Sequence, residues 1–363
     1  MSTEQERPIL VHPMWSRLRT GMETAAEGLN QLLVPELAER SAGLERIVGW
    51  INEHAPLRML RLVLRVALMQ VVPLCFPSRR LLFSSHHGPL WRTSRHAVVV
   101  YDLIALRHGG QSWAQRVYYR RLLPRVLRSA SLVIAISESV AVDVKRLLGD
   151  AGSSDVTIEV VPAYSRRLER AVVKVDTETL KERAARAEFL FLGARYEHKN
   201  LGLVLRAWRD WGLARAEVRR PRLTIVGCRR DLWPELDDLE REGDVSVAGE
   251  TSEGDVDLLL ERCSGLLYPT RDEGQGLPPL EAMVAGCPVL CADIPVLRDT
   301  CGAAAVYIDP EDANSLREEV ASIVSGTSLG RHLAAAGRRE EVLARFKPEA
   351  LRRRWREVLE RWT

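Results

Sequence analysis

Between Gly265 and Cys291 the sequence changes character three times, and few folds accept that order. Gly265-Leu266-Leu267-Tyr268 is an apolar run of strand length. Pro269 to Gly276 is a loop with glycines at 274 and 276. A helical stretch follows, and then Cys287-Pro288-Val289-Leu290-Cys291 is apolar again. Strand, glycine loop, helix, strand is the building unit of open α/β sheets. A strand that feeds a glycine loop and a helix offers backbone N–H groups at the positive end of the helix dipole, a setting that favours phosphate. Gly274 and Gly276 let a ligand approach the backbone closely. Pro278 and Pro279 suit a first helical turn, where a missing N–H costs nothing. Glu273 falls in the loop and Glu281 about one turn into the helix. Carboxylates are poor phosphate ligands but good acceptors for hydroxyls. A ligand with phosphates in its middle and hydroxyl-bearing rings at both ends would use all of these groups, and a nucleotide sugar is such a ligand.

The rest of the chain repeats the strand–helix alternation. At 363 residues it is long for one core and implies two domains. Apolar runs at Ile9–Met14, Leu81–Ser84, Ala97–Tyr101, Ser131–Ile136 and Val156–Val161 predict strands of a first domain. Runs at Glu188–Gly193, Arg222–Gly227, Val245–Gly249, Gly265–Tyr268 and Cys287–Cys291 predict strands of a second. Continuously apolar strands are those of parallel sheets covered on both faces. Two doubly wound α/β domains follow, with the cleft between them as the expected ligand site. The charged stretch Arg166–Ala187 carries the boundary, which divides the chain into 1–168 and 169–345, followed by a last helix over 346–363. Ser112–Ala130 reads as one helix kinked at Pro124, and Leu329–Arg345 as another single helix.

Composition narrows the function. Lys and Arg number 52 against 49 Asp and Glu, a net charge of +3, too balanced to argue for nucleic acid. The six cysteines form no C-x-x-C pair and share no zinc spacing with the histidines, so they read as reduced core residues. No stretch has the length of a membrane span, and the opening residues are not a secretory leader, which predicts a cytoplasmic protein. The segment Leu44–Arg80 reads as helical and basic, ended by Pro73 and Pro77. Leu57, Leu60, Leu64, Ala67 and Leu68 alternate there with Arg58, Arg61 and Arg65. Two readings fit it: packing on the first sheet, or peripheral contact with an anionic inner-membrane surface. Asp255-Val256-Asp257 resembles a metal-binding Asp-x-Asp but opens a helix, where acids suit the dipole. It is assigned to structure, and no metal is expected.

Glu273-Gly274-Gln275-Gly276-Leu277-Pro278-Pro279-Leu280-Glu281, followed by Ala282-Met283, resembles the Glu-x7-Glu signature of the retaining glycosyltransferases of family 4. That resemblance implies the GT-B fold, with an acceptor-side first domain, a nucleotide-sugar-binding second domain and a last helix crossing back to the first. It gives Glu273 the donor sugar, Glu281 the ribose, and the Gly274, Gln275, Gly276 and Leu277 backbone the diphosphate. Gln275 stands where the family usually has an aromatic residue. Arg195 and Lys199, after Gly193 and before Asn200, resemble the basic pair that neutralises the departing diphosphate. Gly227 and Gly249 end strands whose loops lie near the base, and Gly21 matches the first domain's glycine loop. Asp102 is kept where the family often has His-Asp, while Tyr101 replaces the histidine. His86 and His87, at a neighbouring strand end, are candidates to supply a ring.

The expected activity is therefore metal-independent transfer of a hexose, mannose or rhamnose favoured, with retention. The donor would be a nucleotide-diphosphate sugar: GDP-mannose first, dTDP-rhamnose or a UDP-sugar next. The acceptor would be a hydroxyl of a bacterial glycan or of a lipid-linked glycan, and no cofactor is implied. The alternatives are a GT-B nucleotide-sugar epimerase, or a binding protein that keeps the pocket without transfer.

Overall fold

The computed structural model describes residues 8–11, 28–29, 32–33, 47, 50, 58–92, 95–108, 113–149, 156–211, 218–249 and 251–362. Gly21 lies outside these residues, as does the end of the first expected strand, 12–14. The chain divides into two compact units, residues 1–166 with 346–363, and residues 167–345.

The first unit is built on a parallel sheet of β1 (Ile9–Val11), β2 (Leu81–Phe83), β3 (His96–Val100), β4 (Leu132–Ala135) and β5 (Thr157–Val160), in that spatial order. Leu82 pairs with Leu10 on one side and Ala97 on the other, and Val98 pairs with Val133. The first four strands are buried along their whole length, which explains their unbroken apolar sequence. β5 is partly exposed at the edge, where Glu159 meets Arg354 at 2.9 Å and Arg361 at 3.0 Å. Both arginines belong to the helix Pro348–Arg361, whose Leu351, Trp355, Val358 and Leu359 form its buried stripe. Ser137 caps the helix Glu138–Leu148 by accepting from Val140 N–H at 3.2 Å, and Gly149 ends it in the left-handed region.

Two expected helices take another form here. In place of one helix kinked at Pro124, an α-helical turn (Trp113–Val117) widens into a π segment (Tyr118–Leu122) and narrows again over Leu123–Ser129. Pro124 has no N–H for the Arg120 carbonyl, and the wider turn just before it accommodates that loss. The basic helix runs Arg58–Cys75 with Pro73 inside its last turn, so Pro73 does not end it.

The second unit carries β6 (Glu188–Leu192), β7 (Arg222–Val226), β8 (Val245–Ala248), β9 (Gly265–Tyr268), β10 (Val289–Ala292) and β11 (Val306–Ile308). The order is β11-β10-β9-β6-β7-β8, all pairs parallel. The winding direction reverses between β6 and β9. In open α/β sheets ligands bind outside the carboxyl ends of the strands at such a switch point. Beneath lies a core of Phe189, Phe191, Trp208, Trp211, Leu223 and Ile225, with the Trp208 indole donating to Pro221 O at 3.1 Å. The expected helix over 329–345 is two, Leu329–Ala336 and Arg339–Ala344, parted at Gly337, a poor helix former. The break leaves Arg339 buried, donating to Cys287 O at 2.8 Å.

Candidate functional site

The loops that leave β6 and β9 are stitched together. Asn200, in the left-handed region with φ 63°, donates through Nδ2 to Pro269 O at 3.0 Å and Pro310 O at 2.7 Å. Thr270 Oγ1 donates to His198 O at 3.1 Å, and Arg271 N–H to the same carbonyl at 2.8 Å. This lacing turns Lys199 inward over Gly193. Gly193 has φ +89°, and a Cβ there would lie 3.6 Å from Lys199 Cε. Lys199 Nζ donates to Tyr268 Oη at 3.0 Å and pairs with Glu273. The Tyr268 hydroxyl donates to the same Glu273 oxygen at 2.7 Å. Burial, then the neighbouring Glu273 carboxylate, pushes the Tyr268 phenol well above its ordinary value, so it stays a donor.

Lys199 and Glu273, expected from sequence, thus come together through Tyr268, which sequence reading passed over. Its place as the last residue of a parallel strand was the available signal, because such ends face the crevice. Arg195 is exposed close by: its Nε lies 4.0 Å from where a Cβ on Gly227 would sit. Gly249 follows β8 at the sheet edge, with nothing within 4 Å of an added Cβ.

The glycine loop is buried from 273 to 276. Gly276 has φ +95°, and a Cβ there would come 2.6 Å from Leu297 Cδ2, so any side chain at position 276 is strained. Thr300 Oγ1 fixes the turn by donating to Gln275 O at 2.8 Å. The helix Leu277–Val284 begins at Leu277 with prolines second and third. Of its first four residues only Leu277 and Leu280 carry an N–H, so backbone donors for an anion come chiefly from the loop.

Glu281 is held by a different cation from Glu273. Arg167 donates from Nη1 to Glu281 Oε2 at 2.8 Å, from Nε to Asp257 Oδ1 at 3.0 Å and from Nη2 to Glu253 O at 2.9 Å. Arg170 adds a 2.8 Å pair to Asp257. Burial would lower the Arg167 guanidinium, but Glu281 and Asp257 outweigh it and hold it above its ordinary value. Asp255 closes a capping box with Ser252. Both acids of the Asp255–Asp257 pattern are therefore occupied in structural contacts.

The remaining expected residues lie in the first unit. Tyr101 and Asp102 follow β3. Asp102 accepts from Ile104 N–H at 3.2 Å, and the buried Tyr101 hydroxyl has no hydrogen-bond partner among the described residues. His86 and His87 follow β2 with ring centroids 4.3 Å apart, and Tyr118 stacks on His87 at 4.5 Å. His86 is fully buried with both ring nitrogens unpartnered among the described residues, and burial depresses it from 6.5 to about 4. A depressed histidine contributes stability above its unfolded value that is lost as pH falls through the folded one. The protein is expected to lose about 3 kcal/mol between pH 6.5 and pH 4 from this group. Urea titrations across that window should show a shallower pH slope for His86→Asn. Equal slopes would mean that the imidazole is not held neutral.

The fold is GT-B, and the second unit presents its polar residues at the switch point of that fold. Residues 175–340 match the family model described as glycosyl transferases group 1. The O-antigen chain mannosyltransferase RfbU of Salmonella typhimurium is 28% identical over 253 residues, which cover 68% of this chain and 66% of that protein. The O-antigen chain mannosyltransferase B of Escherichia coli is 27% identical over 262 residues, covering 69% and 68%. Among solved structures, HepE of Anabaena in complex with UDP and glucose superposes with TM-score 0.69 at 15% identity, over 98% of this chain and 100% of that one. TarM superposes with TM-score 0.60 at 14% identity, over 81% and 58%. The family match and the mannosyltransferase relatives support a glycosyltransferase.

Proposed function

We propose that the protein transfers a hexose, mannose in the first instance, from a nucleotide-diphosphate sugar to a hydroxyl of a bacterial glycan or glycolipid acceptor, with retention at the anomeric carbon. The observation that carries this is the Lys199–Tyr268–Glu273 cluster beside a glycine loop at the switch point of the second sheet. The two O-antigen mannosyltransferase relatives support the choice of sugar and of acceptor class. In this reading the diphosphate lies on the Gly274–Leu277 loop, and Lys199 and Arg195 neutralise it as it leaves. Glu273 accepts from sugar hydroxyls and Glu281 from the ribose. No metal is assigned a part, since the Asp255 and Asp257 carboxylates are already engaged by Ser252, Arg167 and Arg170. The departing phosphate takes the acceptor's proton on the face it leaves, so no enzymic nucleophile is required.

The test is a donor panel. GDP-mannose, dTDP-rhamnose and UDP-sugars are offered with a bacterial lipid-linked glycan, and released nucleotide and the product's anomeric configuration are read. Consumption of GDP-mannose with an α-linked product, lost in Lys199→Ala, is the expected result. Tight donor binding without turnover on any acceptor would make the chain a binding protein instead. Donor turnover without acceptor would make it an epimerase.

A further inference from the structure

The segment that carries Tyr268, Glu273, the glycine loop and Glu281 is bounded by two cysteines, 24 positions apart, whose sulfurs meet. Cys263 follows the helix Glu253–Arg262 and precedes β9. Cys287 follows the helix Leu277–Val284 and precedes β10. β9 and β10 are paired neighbours, which brings the two cysteines together at their entry ends. Both are buried, and their Sγ atoms are 3.2 Å apart, within reach of an S–H···S hydrogen bond.

Two arginines surround this pair. Arg183, 5% exposed, donates to Leu260 O at 3.0 Å, Cys263 O at 2.9 Å and Ala285 O at 3.0 Å. Arg339, 2% exposed, donates to Cys287 O, and its Nε and Nη1 have no hydrogen-bond partner among the described residues. All these acceptors are neutral carbonyls, and among the described residues neither guanidinium pairs with a carboxylate. A buried cation without an anion is costly. The Cys287 thiol lies within the field of both and can supply the anion. Burial would raise it, but the Cys263 hydrogen bond, Arg183 and Arg339 outweigh burial and hold it below its ordinary value. The Cys287 hydrogen bond, then burial, push the Cys263 thiol well above its own, so it keeps its proton. One acceptor opposes the anion, Pro288 O at 3.2 Å from Cys287 Sγ, and that carbonyl already takes Leu266 N–H at 2.8 Å. Cys291 and Cys301 make a second buried thiol contact in this unit. There the nearby Arg298 is spent on Asp293, with two bonds of 2.6 Å, and the Cys301 hydrogen bond and burial push the Cys291 thiol up.

We infer that Cys287 and Cys263 are a nucleophile and its resolving thiol, together a site of reversible oxidation by small hydroperoxides. The Cys287 thiolate attacks one peroxide oxygen, the O–O bond breaks, and hydroxide leaves behind a sulfenic acid. The Cys263 sulfur then displaces the sulfenic oxygen, which departs as water with the Cys263 proton. With hydrogen peroxide, two thiols are oxidised to one disulfide and the peroxide is reduced to two waters. A dithiol reverses the bond by exchange. Two adjacent guanidiniums disfavour a metal ion at the same sulfurs. The bond would close the chain into a loop around Tyr268, Glu273, Gly274–Leu277 and Glu281. The inference does not depend on the transferase reading.

The experiment treats the reduced full chain with hydrogen peroxide and maps its peptides by mass spectrometry without reduction. One Cys263–Cys287 cross-link is expected, reversed by dithiothreitol and formed about tenfold or more faster than any Cys291–Cys301 link. Cys263→Ser should stop at a Cys287 sulfenic acid, which dimedone traps. Arg339→Met should slow the cross-link by about tenfold or more with the folded circular-dichroism spectrum retained, and Arg339→Lys should keep it within about threefold. Absence of the cross-link in the folded protein would overturn the proposal. So would equal rates for the two cysteine pairs, which would mark oxidation of an unfolded chain. So would a rate indifferent to Arg339→Met, which would mark proximity without activation.

Discussion

Glu273→Gln is expected to cut turnover by about 10²-fold or more while leaving nucleoside-diphosphate affinity undiminished. The carboxylate takes the Tyr268 hydroxyl at 2.7 Å and the Lys199 ammonium on one oxygen. Neutralising it removes the acceptor proposed to orient the sugar, and a misplaced reacting sugar costs rate on that scale. The same change frees the Lys199 charge for the diphosphate, so affinity for GDP or UDP should hold or rise by up to about tenfold. Opposite movement of turnover and nucleotide affinity separates this role from a structural one. If both fall together, as measured by steady-state release and by calorimetry, Glu273 holds the loop rather than the sugar.

Arg167→Ala should cost the second unit about 3 kcal/mol, the largest single-residue loss of stability expected here. The guanidinium is a shared partner for Glu281 and Asp257, whose side chains are only 11% and 12% exposed. Removing it leaves two poorly solvated carboxylates without that partner, and a broken buried pair typically costs about 3–5 kcal/mol. The remaining exposure, and Arg170 on Asp257, place the expectation at the lower end. Urea midpoints should fall accordingly, and Glu281→Gln in the same chain should recover part of the loss through a double-mutant cycle. A midpoint unchanged within about 0.5 kcal/mol would show that the carboxylates are solvated well enough without the arginine.

Local patterns carried much of this into the sequence. The run Gly265–Glu281 announced its strand, its loop and its helix, because glycine and proline have few alternative uses at those positions. Ser137 and Gly149 bound their helix with residue types suited to those ends. What stayed hidden was pairing across distance. Tyr268 looked like one more aromatic of an apolar strand, and only its place beside Lys199, 69 residues earlier, makes it polar in use. Arg167 sat in a charged stretch that reads as solvated, and its partner Glu281 lies 114 residues on. The widened turn at Tyr118–Leu122 was equally illegible, since Pro124 signals a disturbed helix but not how the disturbance is absorbed.

The first unit takes its material from both ends of the chain, with the second unit inserted before its last helix. During synthesis residues 167–345 are therefore made before Pro348–Arg361 exists. The strand edge at Glu159 and the pocket for Trp355 must wait through that interval. The inserted unit can mature on its own, while its host is completed only once Pro348–Arg361 is present. A chain truncated after residue 345 should thus hold one protease-resistant body and one still open to cleavage.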